Sequence, residues 1–273
     1  MAGPGHLGQS ARDVELDDSL RDAVRDLILC LADSKRLLGM RYAEWILGAP
    51  ELEAGIACAS MAQDEWGHAR LLYALLKDFG ADVERIEHGR EPGEYCNLAA
   101  LDAAPESWPE LTALNALADT ALTIQLEALN ASSYLPLRQR VQKLVAEEQF
   151  HCAHGAAWLR RLAAGGPAAR AAGTATVRSL MPALLQWFGP ESQRATALSR
   201  AGVVGALPGD LRDRLLRRVA PWLTDLADPE QLARIAISYD DFDEASRRPR
   251  GTSPDAATIA HIRGDKNRAF LMD

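Results

Sequence analysis

The sequence predicts an all-α protein, a four-helix bundle with additional C-terminal helices. Apolar residues recur every three or four positions through four long stretches, and no alternating strand pattern rises above noise. Two of those stretches also carry the same inward-facing Glu-x-x-His signature, a device of metal-binding bundles.

Residues 1 to about 16 lack periodicity and read as a mobile N-terminal tail. The first helix begins at Asp17 or Asp18, whose carboxylates suit a helix N-terminus, and runs to about Leu47, where Gly48-Ala49-Pro50 stops it. Its seam is Val24, Ile28, Leu31, Lys35, Leu38, Tyr42 and Trp45, so one inward position is a cation. The second helix takes Pro50 in its first turn and reaches Phe79, with Gly80 as its stop, and forms an antiparallel hairpin with the first. Residues 81 to 106 hold no long periodic run; they read as an irregular crossover with short helical turns, which is consistent with a ferritin-like bundle. The third helix covers about Pro109 to Tyr134, with Asp119 on a face otherwise built from Leu111, Asn115, Leu122, Leu126, Leu129 and Ser133. The fourth follows Pro136 and ends near Ala164, before Gly165-Gly166-Pro167. Helices are expected at about 168 to 188, 191 to 203 and 208 to 226, the last kinked at Pro221. The domain thus spans 17–228. In the extension 229–273, residues 246–254 have a linker composition, with Arg247, Arg248 and Arg250 solvated, and 255–273 form a helical arm toward a neighbouring subunit.

Of 273 residues, 48% are hydrophobic and 25% charged, the balance of a globular protein with a sizeable core. A net charge of -8 argues against nucleic acid as a partner, since phosphate binding needs a basic face. No apolar run is long enough for a membrane span, and the N-terminus lacks the order of a signal peptide, so a cytoplasmic location is expected. Cys30, Cys58, Cys96 and Cys152 form no CxxC and indicate neither a disulfide framework nor a zinc ribbon.

The chemistry concentrates at Glu65 and His68, one turn apart on the seam Ala54, Cys58, Met61, Leu72, Leu75 and Phe79. The pattern returns 83 residues later at Glu148 and His151, on the seam Leu137, Val141, Leu144, Gly155, Trp158 and Leu162. A carboxylate in such a seam costs several kcal/mol unless it is paired or holds a metal. Two readings follow: a metal site, or a buried hydrogen-bonded network without metal. His154, one turn beyond His151, is a candidate support for it, whereas His6, His88 and His261 are not expected to be ligands. Trp45, Trp66 and Trp158 read as core.

The stretches QDEWGHARLLYALLKDFG and EWILGAPEL, the third helix through EEQFH, and PALLQWFGP at 182 to 190 resemble the ferritin-like subunits of the phenylacetyl-CoA 1,2-epoxidase complex, the phenylacetic acid catabolic protein family. The resemblance covers roughly residues 25 to 226. It implies a fold shared by a catalytic A subunit holding a di-iron centre and a C subunit that has lost it and serves as a structural partner. Of the six A-subunit ligand positions, five fall on Glu65, His68, Asp119, Glu148 and His151. The sixth, a Glu about thirty residues before Glu65, falls on Lys35 without a gap or on Arg36 with one; Asp33 is the nearest acid. The segment LADSKRLLGMRYAEW resembles the C subunit more than the A subunit.

Glu65, Asp119 and Glu148 carry three negative charges, and a protonated Lys35 brings the sum to -2, the complement of one divalent ion. A neutral Lys35 would leave room for two. The cofactor expectation is therefore iron, one or two ions, with manganese as an alternative. The resemblance then implies a monooxygenase component that activates dioxygen to oxygenate an aromatic or acyl-CoA small molecule, with Glu65, Glu148 and Lys35 as candidate catalytic residues. Trp66, Phe150 and Leu122 would wall the site from water, and a separate reductase would supply electrons. The alternative is a catalytically silent structural subunit in which Lys35 replaces the sixth ligand. Either belongs in a homo- or hetero-oligomer with a related ferritin-like subunit. In both cases the Lys35 ammonium is expected within about 3 to 4 Å of a site carboxylate, Glu65 or Glu148 foremost, since a buried ammonium requires a partner.

Overall fold

The computed structural model describes residues 17–270; the expected N-terminal tail lies outside them. The fold is all-α and ferritin-like. Helix α1 (Asp18–Glu44) starts where Asp17 Oδ1 accepts from Leu20 N at 2.8 Å, and its middle is buried on every side from Cys30 to Tyr42. It pairs with α2 (Leu52–Leu75), which tightens into a short turn of 3-10 helix ending at Gly80, whose φ of 76° only glycine adopts without cost. The crossover includes a short helix α3 (Val83–His88) and is tied to the bundle by a second buried ion network. There Asp33 accepts from the Arg90 guanidinium, from Tyr73 Oη at 2.5 Å and from Cys96 N at 2.8 Å.

The third bundle helix is continuous in direction but not in winding. It runs as α4 (Trp108–Ala113), a π-helical turn over Leu114–Asp119, and α5 (Thr120–Glu127). Every residue from Leu111 to Leu126 is buried, so the apolar periodicity does not mark where the winding changes. Helix α6 (Leu135–Ala164) crosses this turn closely at Gly155: a Cβ there would lie 2.6 Å from Ala116 Cα and 2.9 Å from Asn115 Oδ1. Helices α7 (Pro167–Trp187), α8 (Gln193–Arg200), α9 (Pro208–Leu223) and α10 (Pro229–Ala233) follow, with Pro221 inside α9.

The C-terminal segment differs from its expected linker and arm. Strands β1 (Phe242–Asp243) and β2 (Arg248–Pro249) pair antiparallel, and two of the three expected solvated arginines are drawn inward. Arg247, at φ 53°, lays its guanidinium over the Trp187 ring at 4.8 Å and donates to Gln125 Oε1 at 2.9 Å. Arg248 is 3% exposed and donates to Asn97 Oδ1 at 3.0 Å. Helix α11 (Ala256–Ile262) packs on α1 of its own chain, burying Ile259. Composition signalled a loop here because basic and turn residues are normally solvated; buried acceptors and an aromatic face supply the compensation instead.

Candidate functional site

Four elements deliver the polar residues of the seams to one point. Lys35 comes from α1, Glu65 and His68 from α2, Asp119 from the end of the π-helical turn, and Glu148 and His151 from α6. All six are at most 1% exposed. The three carboxylates converge on Lys35, whose Nζ donates to Glu148 Oε1 at 2.6 Å, Asp119 Oδ1 at 2.8 Å and Glu65 Oε1 at 3.0 Å. An ammonium has three donors, and each meets a different carboxylate.

The other candidates for that position face elsewhere. Asp33 belongs to the Arg90 network, and Arg36 donates to the main-chain oxygens of Glu87 and Ile262. The ungapped spacing from Lys35 to Glu65 is the one that brings side chains into contact.

Around this centre the imidazoles form an inner ring. His151 Nδ1 lies 3.1 Å from Glu65 Oε1 and 3.2 Å from Asp119 Oδ2, and its Nε2 is 3.3 Å from Asp64 Oδ2. His68 Nδ1 is 3.0 Å from Glu148 Oε1, off the hydrogen-bonding direction, while its Nε2 meets Glu147 Oε2 at 2.8 Å. Each imidazole thus stands between the buried carboxylates and a half-exposed one. Tyr42 Oη donates to Asp119 Oδ2 at 2.8 Å and is held by Asn115 Nδ2 at 2.9 Å; Asn115 Oδ1 in turn faces His154 Nδ1 at 2.9 Å. Thr123 Oγ1 donates to Glu148 Oε2 at 3.1 Å.

Asp64 and Glu147 do not stand out in the sequence. Their only signal is that each immediately precedes a seam glutamate, in the doublets Asp64-Glu65 and Glu147-Glu148. The expected apolar wall is also corrected. Leu122 is buried, but Trp66 is 43% and Phe150 78% exposed. Each stands next to a seam residue, about 100° around its helix, and so turns away from the site.

The electrostatics follow from the geometry. Burial alone would lower the Lys35 pKa, but the charges of Asp119, Glu148 and Glu65 outweigh it and hold the ammonium well above its ordinary range. Burial opposes ionisation of Asp119 as well, yet Lys35 and the His151 hydrogen bond hold its carboxyl well below the usual value. Burial, reinforced by the Asp119 charge, pushes Glu148 up to about 7. For His151, burial disfavours the imidazolium, but its bonds to Asp119 and Glu65 push it up to about 12; His68 is raised too, its burial outweighed chiefly by Glu148. The charges therefore approach balance internally, with three acids facing Lys35 and a protonated His151.

Ligand atoms of Glu65, Asp119, Glu148 and His151 lie within 4.8 Å of one another, a group that could hold a metal ion. Glu65 Oε2 is buried without a hydrogen-bond partner, one free coordination oxygen. A pair of divalent ions does not fit these residues as arranged, because Lys35 Nζ holds one oxygen of each carboxylate. Nor does the cleft of about 500 Å³ between the crossover and α7 include Lys35, Glu65, Asp119, Glu148 or His151 in its lining.

Known proteins resemble this chain. The sequence model described as phenylacetic acid catabolic protein matches residues 10–229. The chain is 25% identical over 192 residues to the A subunit of 1,2-phenylacetyl-CoA epoxidase from Escherichia coli (strain K12), an alignment covering 69% of this chain and 62% of that protein. It is 27% identical over 139 residues to the C subunit of the same organism's enzyme, covering 50% of this chain and 56% of that one. The chain therefore spans about three fifths of the length of the curated relatives it matches. With the family's pattern extending over most of its helical domain, this chain belongs to the phenylacetic acid catabolic protein family.

Proposed function

We propose that this chain is a ferritin-like component of a multi-subunit assembly of the phenylacetyl-CoA epoxidase type, in which Lys35 stands where metal would be held. Its contribution is structural: it positions a related, catalytically competent component and performs no oxygen chemistry itself. The observation that carries this reading is the contact of the Lys35 ammonium with all three buried carboxylates, at 2.6 to 3.0 Å. An ammonium so placed satisfies acids that would otherwise have to be neutralised by cations from solution. The partner is a hetero-oligomeric one, since both curated relatives are named as subunits. No helix among the described residues is long and apolar enough to cross a membrane, and all four cysteines are free, which fits a reduced, aqueous compartment.

A second reading is favoured by the unpartnered Glu65 Oε2 and the close approach of Glu65, Asp119, Glu148 and His151. In it, these residues hold a single iron or manganese ion after Lys35 gives up its proton and turns aside. The chain would then serve as an oxygenase component for an aromatic or acyl-CoA substrate, fed by a separate reductase, the metal supplying the activation of dioxygen.

Elemental analysis of protein from iron- and manganese-supplemented cells separates the two. The structural reading expects well under 0.2 metal per chain in the wild type, and a rise toward two in Lys35→Glu, which supplies the fourth carboxylate. One ion per wild-type chain would replace it with the single-metal reading, and an unchanged content in a folded Lys35→Glu protein would show that Lys35 is not what governs occupancy.

A further inference from the structure

A cavity of about 300 Å³ opens on the outer side of the α1–α2 pair, lined by Arg36, Trp66, Arg70, Tyr73, Glu87 and His88. Arg36 and Trp66 directly follow Lys35 and Glu65 in the chain. The same two helices thus hold the ion cluster on one face and this cavity on another.

The charges of the cavity are not balanced. Arg36 is 8% exposed and donates to Glu87 O at 2.5 Å and Ile262 O at 3.1 Å, using two of its N–H groups on main-chain carbonyls. A carbonyl satisfies a donor without cancelling a charge. Among the described residues, no carboxylate is within ion-pair distance of the Arg36 or Arg70 guanidinium, whereas nearby Arg90 is paired with Asp33 and Arg263 with Asp265. Among the described residues Glu87 is the one acid in the lining, against two arginines, on a chain whose net charge is -8.

The walls are aromatic and held in place. The Trp66 indole is wedged against Gly39, where a Cβ would lie 2.8 Å from the ring, and stays 43% exposed toward the opening. Tyr73 is fixed by its hydroxyl, which donates to Asp33 Oδ1 at 2.5 Å, so its ring remains as wall.

We propose that this cavity binds a small carboxylate carrying a flat aromatic body. Guanidinium groups recognise a carboxylate through forked, charge-assisted hydrogen bonds, and the indole and phenol rings supply the apolar surface that a bare oxyanion would not use. The volume sits at the low end of the range for ligand pockets, about 300 to 1,000 Å³, which suits one ring with its carboxylate. The site is independent of the metal content of the ion cluster.

Isothermal titration of the full-length protein with benzoate, with the neutral isostere benzamide and with inorganic phosphate tests this. Saturable 1:1 benzoate binding is expected, at least tenfold weaker in Arg70→Gln and in Trp66→Ala and at least tenfold weaker for benzamide. Both substituted side chains are exposed, and circular dichroism verifies that the variants are folded. Absence of saturable benzoate binding overturns the proposal. So does benzoate binding that survives both substitutions, and phosphate binding as tight as benzoate would reduce the cavity to a bare oxyanion site and overturn the aromatic part.

Discussion

Replacing Lys35 by methionine tests whether the ammonium holds the bundle core together. The side chains are similar in length, so packing is nearly preserved while three charged hydrogen bonds, at 2.6, 2.8 and 3.0 Å, are lost together. Hydrogen bonds to charged groups contribute about 1.5 to 3 kcal/mol each, but methionine avoids the desolvation of an ammonium, which offsets part of the sum. Removing one member of a buried ion cluster costs about 3 to 5 kcal/mol, a large share of the roughly 5 to 15 kcal/mol that stabilises a typical domain. At about 2 to 4 °C per kcal/mol for a chain of this size, the melting temperature should fall by about 10 °C. The loss should also shrink on acidification, because Asp119 and Glu148 then lack the ammonium that faces them and are relieved by taking up protons. Thermal and urea unfolding at pH 5 and pH 7, with chelator present, measure both effects. A variant as stable as the wild type at pH 7, or equally destabilised at both pH values, would refute the reasoning.

Three further outcomes follow from the same geometry. Gly155→Ala places a Cβ 2.6 Å from Ala116 Cα, so the π-helical turn or α6 must shift; urea unfolding should show a loss of about 1 to 3 kcal/mol or more, and a neutral change would mean the two helices separate easily. Asp33→Ala leaves the Arg90 guanidinium, 3% exposed, without its carboxylate, and should cost about 3 to 5 kcal/mol, read from the denaturation midpoint. His151, raised from 6.5 to about 12, contributes stability that is fully present below pH 6.5 and is lost as pH rises toward 12. Wild-type stability should therefore fall between pH 7 and pH 10 by up to about 1.4 kcal/mol per unit, and His151→Gln should flatten that slope; equal slopes would assign the effect to another group.

The four bundle helices and their inward polar residues were legible because a 3.6-residue period is a direct consequence of burying one helix face. Lys35, Glu65, Asp119, Glu148 and His151 each interrupt an apolar seam, and the geometry that joins them is fixed by those seams meeting in the core. The π-helical turn was not legible, since Leu111 to Leu126 is buried all round and a helix without a polar face shows no phase. Trp66 and Phe150 were misplaced for the opposite reason. Their bulk and apolarity suggested a wall, but each is adjacent to a seam position rather than on it, and the angular step decides. Arg247 and Arg248 escaped because their partners Trp187, Gln125 and Asn97 lie far away in sequence, where no local pattern records them.

The segment from Ala245 to Thr258 has a bearing on how the protein is made. Its oxygens and guanidinium groups meet groups laid down much earlier: Cys30 Sγ at Ala245 O, Gln125 at Arg247, Asn97 at Arg248, and Arg41 at Thr258 Oγ1. During synthesis, then, α1 and the crossover emerge from the ribosome more than a hundred residues before their last partners exist. A nascent chain halted before residue 245 would hold a helical bundle with buried donors and acceptors still open, and would be the form that chaperones and proteases meet. Closure of the native state is thereby timed by translation of the C-terminal hairpin, well after the ion cluster itself has all its members.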